Sequence, residues 1–160
     1  MLRHFERAGK PKPGMALTAA VVPVFAGLQL YALLAKPLAQ PAWALILYIA
    51  GGALFWSAIA ATRGRKLAAC FQPQIPPAVV RAGPYRAVRH PFYTGYTLVW
   101  IGGFAATGWW PLGVTAVFMA GLYAVAARFE ELAFLRSSLA AEYRCYMRSV
   151  GGLLPRIRKA

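Results

Sequence analysis

Acidic residues are nearly absent: the 160-residue chain has 4, against 18 lysines and arginines, and only 14% of its residues are charged. Soluble domains usually carry about a quarter charged residues, so most of this chain is not built to meet water. Cysteine is scarce as well. Cys70 and Cys145 have neither the spacing of a metal site nor an oxidising setting, which excludes a disulfide framework and leaves two free thiols and no metal centre as the expectation. Internal repeats and low-complexity segments are also lacking.

What fills the sequence instead is apolar. Hydrophobic residues make up 59% of the chain, more than a soluble domain of this length can hide. The net charge of +14 could point to nucleic acid, but its placement points elsewhere. Arg3, Arg7, Lys10 and Lys12 precede the first long apolar run; Arg63, Arg65, Lys66, Arg81, Arg86 and Arg89 lie between the second and the third; Arg128, Arg136, Arg144, Arg148, Arg156, Arg158 and Lys159 follow the last. Lys36 alone falls in an opposite connection. With alternating spans, 17 of the 18 basic residues share one side. That is the positive-inside pattern, and it puts both termini in the cytoplasm, with some arginines meeting anionic headgroups. Nucleic acid is not the expected partner; the lipid bilayer is.

A crossing helix needs about 20 apolar residues. Residues 15–34 supply one, with Pro23 as an expected kink, and this run is too long for the core of a cleaved signal peptide. Residues 43–61 supply a second, stopped by Thr62-Arg63-Gly64-Arg65-Lys66. From 67 to 91 prolines recur and no apolar run persists, which reads as an ordered cytoplasmic connector. A third run, 92–106, is short for a crossing. Gly108, Trp109, Trp110 and Pro111 make a turn at the far interface, and 112–127 returns, so the last two runs form an antiparallel hairpin. Leu132, Leu135 and Leu139, then Tyr143 and Tyr146, continue at helical spacing among charges, which predicts one amphipathic helix running out of the fourth span to about Met147 and ended by Gly151-Gly152. The expected fold is an all-α integral membrane protein: about four transmembrane helices plus a C-terminal amphipathic cytoplasmic helix. Residues 1–160 form one membrane domain, with two spans in 1–66 and the site-forming connector, hairpin and last helix in 67–160.

One stretch is unusual for such a protein: Gly83-Pro84-Tyr85-Arg86-Ala87-Val88-Arg89-His90-Pro91-Phe92-Tyr93-Thr94-Gly95. Pro91 suits the first turn of a helix, where a missing N–H costs nothing, and His90 then sits at the cap. The free amides there suit a carboxylate or phosphate, and Arg86 and Arg89 add fork-shaped donors. Gly95 admits another backbone or a ligand, while Tyr93 and Tyr96 offer flat faces with polar tips. Taken singly, Arg86 reads as a headgroup anchor, and Tyr96 and Trp100 as packing or interfacial residues. Taken together, the run is more than an interfacial turn.

The run resembles the signature of the membrane methyltransferases that include isoprenylcysteine carboxyl methyltransferases and phospholipid N-methyltransferases. Arg89-His90-Pro91-Phe92-Tyr93-Thr94-Gly95 matches throughout. Glu131 with Leu135 matches the family's acidic helix, Glu142-Tyr143 and Tyr146 its tyrosine element, and Pro155 its closing proline. Aligned on Leu135, the acidic pair falls on Glu131 and Leu132, so one acid is missing unless Glu130 stands in; Leu139-Ala140 replaces the usual Phe-Gly.

The resemblance implies S-adenosylmethionine as methyl donor, bound at the cytoplasmic face by Tyr85, Arg89, His90, Pro91, Tyr93, Gly95, Glu131 and Tyr143. Arg89 or the helix start would take the methionyl carboxylate, Glu131 the cationic amine and sulfonium, and Tyr85, His90 and Tyr93 the adenine. Glu131 and His90 are the candidate catalytic residues, for an acceptor that must lose a proton. For Glu130 and Glu131 the plainer reading is a solvated face paired with Arg128 or Arg136. The acceptor would be a lipophilic or amphiphilic molecule, an isoprenylcysteine-type carboxylate or an amine or thiol, at a membrane that the small size and basic loops point to as bacterial and cytoplasmic. A nicotinamide-dependent membrane reductase of related fold and a non-enzymatic lipid-binding subunit are the alternatives.

Overall fold

The chain is described by a computed structural model covering residues 13–63 and 78–156. Among the described residues there are five α-helices: α1 (Pro13–Ala35), α2 (Pro41–Ala61), α3 (Pro91–Thr107), α4 (Trp110–Leu135) and α5 (Ala140–Ser149), with a one-turn 3₁₀ helix at Gly83–Arg86. Among the described residues the only strand-like pairing is an isolated parallel bridge, Val88 to Gly151. Cys70, the basic N-terminal residues and the first part of the connector (64–77) lie outside the described residues; Cys145 is an exposed free thiol.

Helices α1, α2 and α4 are each long and apolar enough to cross a bilayer. Leu30, Leu34, Ile46, Ile49, Trp56, Val117 and Val125 stand exposed along them, as expected of helices whose outer faces meet lipid rather than water. The protein is an integral membrane protein. Among the described residues three helices meet the length and composition of a crossing, in keeping with the expected all-α membrane fold of about four spans. The third run forms α3, whose 17 residues span about 25 Å at 1.5 Å per residue, at the short end of what a crossing takes. Helix α3 is nevertheless central: it packs against α1, α2 and α4.

Prolines and glycines set the boundaries and the approach of these helices. Pro41 and Pro91 open α2 and α3, and Pro111 lies in the first turn of α4, positions where no N–H is needed. Pro23 sits inside α1, which continues through it. Gly108 closes α3 in the left-handed conformation (φ 64°), its N–H donating to the Phe104 carbonyl at 2.7 Å, a conformation that costs glycine little. At this end the α1–α2 turn docks on α3, Ala39 N–H donating to Ala106 O at 2.7 Å. Lys36 lies over the Trp109 ring there.

The most extensive helix contact is between α2 and α3, not within the α3–α4 hairpin alone. Its cause is a pair of facing glycines. A Cβ added to Gly51 would stand 2.8 Å from Gly95 O, and one on Gly95 would stand 2.9 Å from Gly51 O. Small residues let helix backbones touch inside a membrane, where packing rather than water drives association.

The expectation of one helix running from the fourth span to Met147 is corrected. α4 ends at Leu135 and α5 begins at Ala140. Ser137 Oγ donates to Phe134 O at 2.7 Å and accepts the Leu139 N–H at 3.1 Å. Such local bonds offer the backbone an alternative to the helix ladder, and the leucine spacing alone could not reveal it. The break folds α5 back, so that Tyr143 stacks on Phe134 at 4.5 Å.

Candidate functional site

Three segments converge where α3 starts and α4 ends: the Arg89-His90-Pro91 entry to α3, the last turns of α4, and the strap 150–153 that follows α5. The strap is fixed by backbone bonds. Arg89 N–H donates to Gly151 O (2.8 Å) and Gly152 O (3.0 Å), and His90 N–H to Gly152 O (3.3 Å). The Thr94 hydroxyl donates to Leu153 O at 2.7 Å. Gly151 is required here, since a Cβ would stand 1.9 Å from Leu154 O.

Glu131 is the buried centre, its side chain 5% exposed. Its Oε1 accepts from Arg89 Nη2 (2.7 Å), Arg89 Nε (3.0 Å) and His90 Nε2 (3.2 Å). Arg128 Nη1 approaches Oε2 at 3.7 Å. The remaining fork nitrogen of Arg89, Nη1, donates to Val150 O and Met147 O. Arg89 is therefore a bolt joining the α3 entry, α4 and the strap, and four of its five N–H donors are taken by protein groups. The sequence reading had assigned them to an anionic part of a cofactor.

Glu130 was not among the expected site residues, and the structure places it beside them. Its Oε2 stands 3.5 Å from His90 Nδ1, and the Tyr93 hydroxyl donates to Oε1. Successive helix positions point about 100° apart, so one imidazole spanning both acids is what pairs them. The available signal is the Glu130-Glu131 doublet itself, with Glu130 standing in for the acid that alignment on Leu135 leaves missing. The acids also differ in access: the side chain of Glu130 is 29% exposed against 5% for Glu131.

His90 caps α3 with its ring buried between these carboxylates. Burial opposes the imidazolium, but hydrogen bonds and charge from Glu130 and Glu131 outweigh it and raise the pKa above the usual histidine value. A ring with a carboxylate at each nitrogen holds a proton rather than takes one. A raised folded pKa adds stability that is complete below the unfolded value of about 6.5 and is lost as pH rises through the folded one. The melting temperature in detergent should accordingly fall as pH climbs from about 6 to 9, and His90→Gln should remove most of that slope. An identical slope in the variant would place the titration elsewhere.

The other expected residues divide. Tyr93 is buried and packed against His90 (5.7 Å) and Tyr123 (5.4 Å), so its ring is occupied by neighbours. Pro91 is fully buried and sets the helix start. Gly95 turns toward Gly51 of α2 rather than toward the acids: the partner it admits is backbone. Tyr85 accepts the Tyr146 hydroxyl on its carbonyl at 2.6 Å; burial, then Tyr146 and Glu130, push its own phenol pKa up. Tyr143 is buried against Phe134, and burial with the Glu131 charge raises its pKa as well. Both stay neutral donors. Arg81 pairs with Glu142 at 3.5 Å and lies over the Tyr146 ring, tying α5 to the 3₁₀ turn. Among the described residues no cluster of His, Cys, Asp or Glu could hold a metal.

With His90 protonated, two carboxylates face an imidazolium and a guanidinium, so the cluster is charge-balanced. No match is found among curated proteins or among solved structures. The family model for phospholipid methyltransferase matches residues 39–142, from the start of α2 into α5, and takes in Arg89, His90, Glu130 and Glu131. That match spans well over half of the sequence, and the chain belongs to the phospholipid methyltransferase family.

Proposed function

We propose that the protein is an S-adenosylmethionine-dependent methyltransferase acting on a lipophilic or amphiphilic acceptor at the cytoplasmic membrane face, in a bacterial inner membrane. The observation that carries this reading is the pairing of a sealed acid, Glu131, with a half-open one, Glu130, at the end of two packed membrane helices. The donor supplies an electrophilic methyl group on a sulfonium. The residues fit such a ligand by their chemistry. Glu130 offers carboxylate to a cation, the neutral phenols of Tyr85 and Tyr143 offer hydrogen bonds to a heterocycle, and Arg86, exposed on the 3₁₀ turn, offers a guanidinium to a carboxylate. Arg89, His90, Pro91 and Glu131 hold the frame on which these stand.

Catalysis in this arrangement comes chiefly from holding donor and acceptor in line. His90, clamped as a proton carrier by two acids, orients Glu130 and Glu131; it is poorly placed to accept a proton. An acceptor already anionic at neutral pH needs no base, whereas an amine or thiol would turn to Glu130. Isothermal calorimetry with S-adenosylhomocysteine in detergent tests the reading. Saturable binding at one site is expected; binding of a nicotinamide dinucleotide instead would replace it with a reductase.

The orientation follows from the charge asymmetry. In a background without native cysteines, a cysteine at Thr107 should react with an impermeant thiol reagent from outside, and one at Arg156 should not. The reverse labelling would invert the topology.

A further inference from the structure

Among the described residues of α1 only Gln29 and Ala32 are buried, so the deepest long side chain of this apolar helix is a polar amide. Gln29 is 8% exposed and lies inside a crossing segment, as does Tyr48 on α2. Its Nε2 donates to the Tyr48 hydroxyl at 2.9 Å and to the Val99 carbonyl of α3 at 3.3 Å. The carbonyl can only accept, which fixes the amide nitrogen on that side and Oε1 on the other. Oε1 is buried and has no hydrogen-bond partner among the described residues. Gly102 and Gly103 shape α3 to these side chains. A Cβ on Gly102 would stand 3.3 Å from the Tyr48 ring, and one on Gly103 would stand 2.5 Å from Gln29 Cδ. Packing alone does not account for this arrangement. Interhelical hydrogen bonds in a membrane hold helices together only modestly, while a buried acceptor left unpaired opposes folding. A methionine would fill the same space without that penalty. Polar side chains kept inside crossing helices mark functional sites.

We propose that Gln29 and Tyr48 form a binding site within the membrane for a neutral hydroxyl group, which donates to Gln29 Oε1 and accepts from the Tyr48 O–H. The Tyr48 oxygen already accepts from Nε2, so what the pair offers a ligand is one acceptor and one donor. A hydroxyl answers both. An ether lacks the donor. An ammonium would bring a charge into a region without a counter-ion, since Glu6, Glu130, Glu131 and Glu142, the four acids of the chain, all lie outside α1, α2 and α3. The hydroxyl comes either from an internal water or from a lipophilic alcohol. Val99 stands nine residues beyond His90, about 13 Å along α3, so the site is separate from the acidic cluster and independent of the methyl-transfer reading.

The test is nuclear magnetic resonance of the full chain, labelled with ¹⁵N at glutamine, in a neutral maltoside detergent. Gln29→Met identifies the Gln29 side-chain amide by its disappearance; should that variant fail to fold, the displacement of the same signal in Tyr48→Phe identifies it. A bound water gives a rotating-frame Overhauser cross-peak between this amide and water. A bound alcohol gives a saturable shift of the amide with 1-decanol and none with its isomer methyl nonyl ether. Either result is the expected one, and it names the source of the hydroxyl. Tyr48→Phe should then remove the water cross-peak or weaken decanol binding about fivefold, the loss of one neutral hydrogen bond. Equal shifts from the two isomers would reduce the effect to apolar partitioning. Neither a water cross-peak nor an alcohol-specific shift would leave Gln29 as a static link between helices, and a response unchanged by Tyr48→Phe would remove the phenol from the site. Any of these three overturns the proposal.

Discussion

Arg89→Ala is expected to cost about 3–5 kcal/mol of folding stability, the range for deleting one partner of a buried ion pair. The side chains of Arg89 and Glu131 are only 11% and 5% exposed. Removing the guanidinium leaves Glu131 with His90 and the exposed Arg128 as its nearby cations and strips the Val150 carbonyl of its side-chain donor. Denaturant unfolding in mixed micelles checks this. Arg89→Lys, a point charge without the fork, should fall between wild type and alanine. Adding Glu131→Gln to Arg89→Ala should recover part of the loss, because the stranded charge goes with it. A wild-type melt for Arg89→Ala would show that the bolt does not carry load.

Glu130→Gln should weaken S-adenosylhomocysteine binding at least tenfold, about 1.4 kcal/mol, and leave the melting temperature nearly unchanged. Glu131→Gln should do the converse, lowering stability first and affinity only as a consequence. The reason is access: the Glu130 side chain is 29% exposed, whereas Glu131 Oε1 is saturated by Arg89 and His90. Paired titrations of the two variants, each checked for monodispersity, decide the matter. Lost binding in a fully stable Glu131→Gln, beside an unaffected Glu130→Gln, would return the ligand-facing role to Glu131.

Some of this architecture could be read from residues alone because single-residue physics governs it. The apolar runs behind α1, α2 and α4, the proline starts at Pro41 and Pro91, and the glycine stop at Gly108 needed no neighbour to be legible. The convergence of Arg89 and His90 on the acidic helix was legible through a motif, since more than forty residues separate them in sequence. What stayed hidden depended on pairwise distances. Arg89 and Glu131 each looked suited to opposite ends of a zwitterionic ligand, and nothing in their spacing said that they would neutralise each other. Gly95 announced a close approach without naming Gly51 as the group approaching. The break before α5 turned on a serine hydroxyl competing with a helical leucine pattern, and periodicity is blind to that contest.

The strap at 150–153 bears on biosynthesis. Arg89, His90 and Thr94 all donate to main-chain oxygens of residues 150–153, which are translated some sixty positions after them. A nascent chain therefore threads its spans into the bilayer with the acidic centre still unlatched. The Arg89–His90–Glu131 frame closes only when residues 150–153 emerge, so insertion of the preceding helices comes before the frame is complete.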